Sequence, residues 1–171
     1  MADDPRTHLV LGGARSGKSR YAEEVIRARP APWIYVATAE AMDAEMETRI
    51  ARHRAERGAG WETCEAPLDL AGALARAPAG AAVLVDCLTL WLTNVLLAER
   101  DVPAEIDRLV ALVAGETRPL VLVANEVGLG IVPDNALARA FRDHAGILNQ
   151  RLAAVVDRVV FTVAGVPMVV K

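Results

Sequence analysis

The residues best suited to chemistry form one stretch, Gly12-Gly13-Ala14-Arg15-Ser16-Gly17-Lys18-Ser19. It fits the pattern G-x-x-x-x-G-K-[ST], follows the apolar run Leu9-Val10-Leu11 and precedes the helix-like segment Arg20 to Ile26. That strand–loop–helix context is the one in which the pattern binds phosphate. Glycines let successive backbone N–H groups converge on an anion, and the helix that follows directs its positive end toward the same point. Lys18 is suited to the β- and γ-phosphates of a nucleoside triphosphate, and Ser19 to Mg²⁺. The stretch predicts a nucleotide-binding loop.

A carboxylate for the same metal is offered by Asp86, which ends the apolar run Ala81 to Val85. Ligands of open α/β sheets collect at the carboxyl ends of strands, so Asp86 would hold Mg²⁺ directly or through water. It would also serve as a cap for the helix behind it. A second cluster lies between Met42 and Arg57, where Arg49, Arg52, His53, Arg54 and Arg57 crowd one predicted helix. Arg49, His53 and Arg57 share a face at i, i+4 and i+8. Cationic neighbours penalise protonation of an imidazole and so favour the neutral, nucleophilic form. The same arginines could hold the phosphates of a nucleotide attacked at its α-phosphorus. From spacing alone, a solvated helix face carrying a bystander histidine is the commoner arrangement. Glu126, in the loop Asn125 to Gly130, would orient substrate or water, or simply steady its loop.

Other chemistry-bearing residues read as structural. His8 opens a strand and His144 lies within a helix; Trp33, Trp61 and Trp91 suit a core. Cys64 and Cys87 stand apart without metal-ligand spacing and read as small buried hydrophobes rather than a disulfide.

These residues must be positioned by a chain of 171 residues, 53% of them hydrophobic, enough for one packed α/β domain over 1–171. A net charge of −3 argues against a nucleic-acid partner bound through a bulk basic surface, so phosphate recognition must be local. No apolar run approaches the ~20 residues of a membrane span, which predicts a soluble, cytoplasmic protein. Apolar runs at 33–38, 81–86, 119–124 and 158–164 join the first as buried strands. Helices are predicted over 18–29, 42–57, 69–77, 90–99, from Pro103, and from Pro133-Asp134 with Asp134 as cap. Leu137, Phe141, Leu148, Leu152 and Val155 recur at helical spacing, so this stripe should pack inward. Trp61 to Cys64 suggests a short strand. Gly165-Val166-Pro167 would turn the chain into an antiparallel C-terminal edge, Met168 to Val170. Continuous apolar strands alternating with helices predict a mostly parallel sheet covered on both faces.

Four segments, GGARSGKSRYAEE, DAEMETRIARHRAERG, VDCLTLWLTN and NEVGLGIVPDNALARAFRDHAGILNQRLA, resemble in order and spacing the bifunctional adenosylcobinamide kinase / adenosylcobinamide-phosphate guanylyltransferase family of cobalamin biosynthesis. The resemblance runs nearly end to end. It implies a RecA-like P-loop NTPase fold, a homotrimer and two reactions on a corrinoid. ATP or GTP phosphorylates the aminopropanol hydroxyl of adenosylcobinamide; GTP then donates GMP to that phosphate through a guanylylated histidine. The family's histidine falls on His53. Its nucleotide-binding segments fall on Gly12 to Ser19, on Thr38, Ala39 and Glu40, on Ala55, Glu56, Arg57 and Gly58, and on Glu65, with Asp86 at the strand end. Arg52 stands where members often carry another histidine, and Asp86 where they can carry Glu. Two rival readings are a monofunctional P-loop kinase of a small alcohol and a nucleotide-dependent switch.

Overall fold

The computed structural model describes residues 5–39 and 58–171. The first strand, β1 (Thr7–Gly12), runs through the phosphate-loop stretch into α1 (Lys18–Arg27). Then come β2 (Trp33–Ala37), β3 (Trp61–Glu65), α2 (Leu70–Arg76), β4 (Ala82–Asp86), α3 (Leu88–Leu97) and α4 (Val102–Ala114). The chain closes with β5 (Leu120–Asn125), α5 (Ala136–Val155), β6 (Arg158–Val163) and β7 (Val166–Val169). The predicted helix 42–57 lies outside the described residues.

The strands form one seven-stranded sheet in the order β3-β2-β4-β5-β1-β6-β7. Every pairing is parallel except β6 with β7. Period-2 alternation sends successive apolar side chains to opposite faces, and here both faces are covered. Leu9, Val83, Val85, Leu120 and Leu122 pack on the side of α2 to α5, together with the fully buried Trp91 and Leu92. Val10, Leu84, Val121 and Val123 face α1, whose Ala22 and Ile26 are wholly buried. Near-continuous apolar strands are thus explained by two cores rather than one.

Local chemistry sets the ends. Pro30 follows α1 closely and cannot extend it. Asp69 caps α2 by accepting from Gly72 N at 3.0 Å, and Asp101 caps α4 by accepting from Ala104 N at 3.1 Å, with Pro103 in the first turn. The cap of α5 is Asn135, not Asp134: its side chain accepts from Ala138 N at 2.7 Å. Asp134 instead contributes its carbonyl to the Arg139 guanidinium. The inward stripe of α5 also begins later than its periodicity predicts. Leu148 and Leu152 are buried, but Leu137 is 57% exposed, on the open groove it lines with Leu97 and Phe141. The hairpin turn between β6 and β7 is Ala164-Gly165, one residue earlier than expected, with both residues left-handed at φ 51° and 82°. That conformation matches the twist of adjoining strands. Both cysteines are free, Cys87 buried and Cys64 half-buried.

The start of the sheet is tied by a reciprocal pair of contacts. Asp157, just before β6, accepts from the backbone N–H groups of Arg6 and Thr7 at 2.9 Å each, and its own N–H donates to Thr7 Oγ1 at 2.8 Å. The Thr7 N–H above all holds this carboxyl below the usual carboxylate range. A depressed acid stabilises the fold above its unfolded-state pKa and loses that contribution as pH falls through the folded value. Asp157→Ala should therefore cost on the order of 1 kcal/mol at pH 7, screened by solvent at this exposed position. The deficit should shrink toward zero below about pH 4. Urea denaturation of both proteins across that range checks it; a deficit independent of pH would contradict the assignment.

Candidate active site

The strand register decides which distant residues meet. Across the sheet, Glu65 pairs with Ala37, Ala37 with Asp86, and Gly12 with both Asn125 and Thr162. All stand at or next to the carboxyl ends of parallel strands, so one edge of the sheet gathers residues more than 100 positions apart. Gly12 opens the phosphate loop, where the backbone passes too close to β6 for any side chain. A Cβ there would lie 2.5 Å from Thr162 Oγ1 and 2.6 Å from Ser16 Oγ, and the residue sits at φ +154°.

Gly13, Ala14 and Arg15 form the exposed crest of the loop, while Ser16 and Lys18 are buried and Ser19 is half-buried. Gly17 caps α1 in the left-handed conformation, at φ 94°, with no side-chain acceptor for the first N–H groups of the helix. Those groups are donors looking for an anion. Lys18 lies in the first turn of α1 on its inward stripe, four and eight residues before Ala22 and Ile26. Its ammonium crosses the loop, donating to the Gly13 carbonyl and facing Ser16 Oγ at 3.5 Å.

Burial is the main influence on Lys18 and lowers its pKa; the negative field of Asp86 opposes the shift. An amine so placed is stabilised as a cation by any further negative charge. Asp86 accepts from the Tyr35 hydroxyl at Oδ2, 3.2 Å away. Burial first, and Asp86 next, push the neighbouring Cys87 thiol up, which leaves it protonated and a poor nucleophile.

Of the other predicted site residues, Thr38 is wholly buried. Its hydroxyl donates to the Cys87 carbonyl at 2.7 Å and accepts from the Cys87 N–H at 2.9 Å. Both capacities are spent on the backbone that carries Asp86, so this side chain braces the strand end. Ala39 is half-buried just beyond it, and Glu65 is exposed at the carboxyl end of β3. Gly58 is exposed ahead of the amino end of β3, and is not gathered with the others at the carboxyl edge. Glu40, His53, Ala55, Glu56 and Arg57 lie outside the described residues. Glu126 is tied into its loop: its N–H donates to the Gly12 carbonyl at 3.0 Å and its carboxylate accepts from Gly128 N at 2.6 Å. The loop-steadying reading has contacts to support it.

Sequence reasoning overlooked Tyr35, Asn94, Thr89 and Thr162. Asn94 in α3 donates to the carbonyls of Thr38 and Pro67, at 2.9 and 3.0 Å. Thr89 accepts from the Asn125 N–H at 2.7 Å, fixing the end of β5. A hydroxyl within an otherwise apolar run, as at Thr162 among Val159, Val160, Phe161 and Val163, was the available signal.

The geometry is that of a phosphate-binding loop with a carboxylate close by, and similarity to known proteins agrees with it. Residues 8–170 match the family described as cobinamide kinase / cobinamide phosphate guanyltransferase. The bifunctional adenosylcobalamin biosynthesis protein CobP of Pseudomonas aeruginosa is 49% identical over 166 residues, covering 95% of this chain and 96% of that protein. The corresponding CobU of Salmonella typhimurium is 43% identical over 180 residues, covering 95% and 98%. Among solved structures, the VirB11 ATPase from the Brucella suis type IV secretion system superposes with a TM-score of 0.53 at 15% identity. That superposition covers 98% of this chain but 47% of the ATPase. A prototypical ATPase of a bacterial type III secretion system superposes at 0.52 with 11% identity, again over half of its own length (50%). At such identities these two share the fold alone, that of the P-loop NTPases. With the family matched from the first strand to the last, the chain belongs to the cobinamide kinase / cobinamide phosphate guanyltransferase family.

Proposed function

We propose that this site phosphorylates adenosylcobinamide with ATP or GTP, and then attaches GMP from GTP to the new phosphate with release of pyrophosphate. The observation that carries the reading is a buried Lys18 in the field of Asp86, within a phosphate loop, in a chain of this family. In the first reaction the acceptor hydroxyl attacks the γ-phosphorus. The bond to the β-phosphate oxygen breaks, the hydroxyl proton leaves and the nucleoside diphosphate departs. The loop N–H groups and Lys18 hold the phosphates and offset charge on the departing oxygen.

In the second reaction the His53 imidazole attacks the α-phosphorus of GTP, an N–P bond forms and pyrophosphate leaves. A phosphate oxygen of the cobinamide phosphate then attacks the same phosphorus and the N–P bond breaks. One exchange is split into two easier ones. Glu40, Ala55, Glu56, Arg57 and Glu65, with Thr38, Ala39 and Gly58, are assigned to nucleotide binding on the family resemblance. For Thr38 and Ala39 that assignment means bracing and backbone contact, given the buried Thr38 hydroxyl.

Ser19 and Asp86 are the residues that would hold Mg²⁺. Both offer oxygen, the donor this hard cation prefers. Among the described residues no three His, Cys, Asp or Glu side chains form a metal cage. Mg²⁺ of this kind is held mainly by phosphates and water with one or two protein ligands. Held there, the ion would supply positive charge to offset that of the phosphates.

We further propose that three copies assemble. Leu129, Ile131 and Val132 are 82%, 97% and 61% exposed, and Leu97 and Leu137 flank an apolar groove of about 270 Å³ between α3 and α5. Such a surface is better buried than wetted. Work in the cytoplasm suits the two free cysteines. No helix among the described residues is long and apolar enough to cross a membrane.

Three substitutions test the reading. Lys18→Ala should depress both activities by about 2–4 kcal/mol of transition-state stabilisation, read from kcat/KM of each; near-normal turnover in the folded variant would refute the loop's role. Asp86→Asn should slow both reactions, with part of the loss recovered by excess Mg²⁺; full activity at low Mg²⁺ would reduce Asp86 to a structural carboxylate. His53→Ala should abolish labelling of the protein by GTP carrying label on the α-phosphate, and abolish GMP transfer, while phosphorylation of adenosylcobinamide from ATP continues. The label on the parent should be lost in acid and survive base, as a phosphoramidate does. A folded His53→Ala protein that still takes the label, or that loses the kinase step equally, sinks the mechanism and leaves the rival kinase and switch readings standing.

A further inference from the structure

The phosphate loop is held from outside by a hairpin that belongs to neither nucleotide motif. Thr162 on β6 is 1% exposed and pairs in register with Gly12. Its Oγ1 lies 3.1 Å from the Leu11 carbonyl and 2.9 Å from Ser16 Oγ. A carbonyl can only accept, so the single proton of Thr162 goes to Leu11. The contact with Ser16 therefore has Ser16 as donor. That choice commits the Ser16 proton and leaves its lone pairs toward Lys18 Nζ, 3.5 Å away. The direction of the relay is then Lys18 to Ser16 to Thr162 to the Leu11 carbonyl.

A second anchor fixes the backbone of the same residue. The Gly165 N–H, in the β6–β7 turn, donates to the Ser16 carbonyl at 2.9 Å. The turn lies so close that a Cβ on Gly17 would stand 3.1 Å from Gly165 Cα. Ser16 is thus held at its side chain by β6 and at its carbonyl by the turn after β6.

We infer that Thr162 is a positioning residue for the nucleotide, and that the β6–β7 hairpin sets the phosphate loop in its binding shape before the nucleotide arrives. Thr162 touches no phosphate itself; it acts through Ser16 on the loop backbone and on the orientation of Lys18. Preorganisation of this kind appears as affinity, since a loop already in shape loses less freedom on binding. The inference rests on the nucleotide-binding reading above.

Thr162→Val keeps the shape of the side chain and removes the hydroxyl. It should weaken ATP binding, measured by calorimetry on the full chain with ATP and Mg²⁺, by about tenfold. The KM for ATP in the kinase step should rise in parallel, while kcat changes by less than about twofold. Thr162→Ser, which restores the relay without the methyl group, should recover most of the affinity. Ser16→Ala breaks the same link from the loop side, so adding Thr162→Val to it should weaken binding little further. If the parent binds ATP and Thr162→Val binds it equally well, or if the two substitutions add in full, the hairpin does not position the loop. If Thr162→Ser fails to rescue, Thr162 only fills space. Should Thr162→Val not fold, Ser16→Ala with and without Thr162→Ala, which also lacks the hydroxyl, decides the point. Coupling between those two supports the relay, and full additivity overturns it. Failure of the parent itself to bind ATP would instead refute the nucleotide-binding reading.

Discussion

An ammonium group buried at the start of a helix is costly unless negative charge stands near it, and the site is built around that constraint. Lys18 is 7% exposed, and burial works against its charge while Asp86 works for it. The carboxylate must therefore be held in place from more than one side. Tyr35 donates to Asp86 itself, and Thr38 grips both the N–H and the carbonyl of Cys87 immediately after it. Asn94 in turn ties the Thr38 carbonyl to that of Pro67. Strand β2, the turn before α2 and helix α3 all contribute to the position of one negative charge. A half-compensated lysine of this kind favours a further anion beside it.

The order of strands makes the meeting possible. β1 lies between β5 and β6, and β5 separates it from β4. Because the pairings around β1 are parallel, their carboxyl ends share one edge and their connecting loops leave from it. Register does the rest. A shift of one residue between β1 and β6 would move Thr162 away from Gly12 and carry its hydroxyl to the other face of the sheet. The glycine at position 12 and the threonine opposite are two parts of one fit.

Similarity at two levels separates what is shared with many proteins from what is shared with few. The secretion ATPases resemble the chain in fold at 15% and 11% identity, which speaks for the arrangement of strands and helices. The cobalamin-biosynthesis relatives match at 49% and 43% over nearly their whole length. The fold provides the arrangement of strands and loops. Membership of the family directs that arrangement to its chemistry.

Much of this was legible in the residues. Gly12 to Ser19 announces a phosphate loop because only glycines and a lysine at that spacing suit converging backbone donors. Buried parallel strands announce themselves by unbroken apolar runs, and Asp86 by ending one of them. Family resemblance supplied His53, whose spacing alone was also compatible with a solvated face. Hydrogen-bond partners chosen by packing were not legible. Asn135 rather than Asp134 caps α5 because of where its side chain reaches, not because of a difference in cap preference. Leu137 follows the apolar period yet stays exposed, since periodicity defines a face but not how far a neighbour covers it. Thr162 carries no local signal of its partner, for Ser16 lies 146 positions away and meets it only through the parallel pairing of β1 and β6. Local sequence determined the loop, the strands and the charge to be bound. The tertiary structure alone decided which side chains hold them in place, because those contacts are set by register between strands distant in the chain.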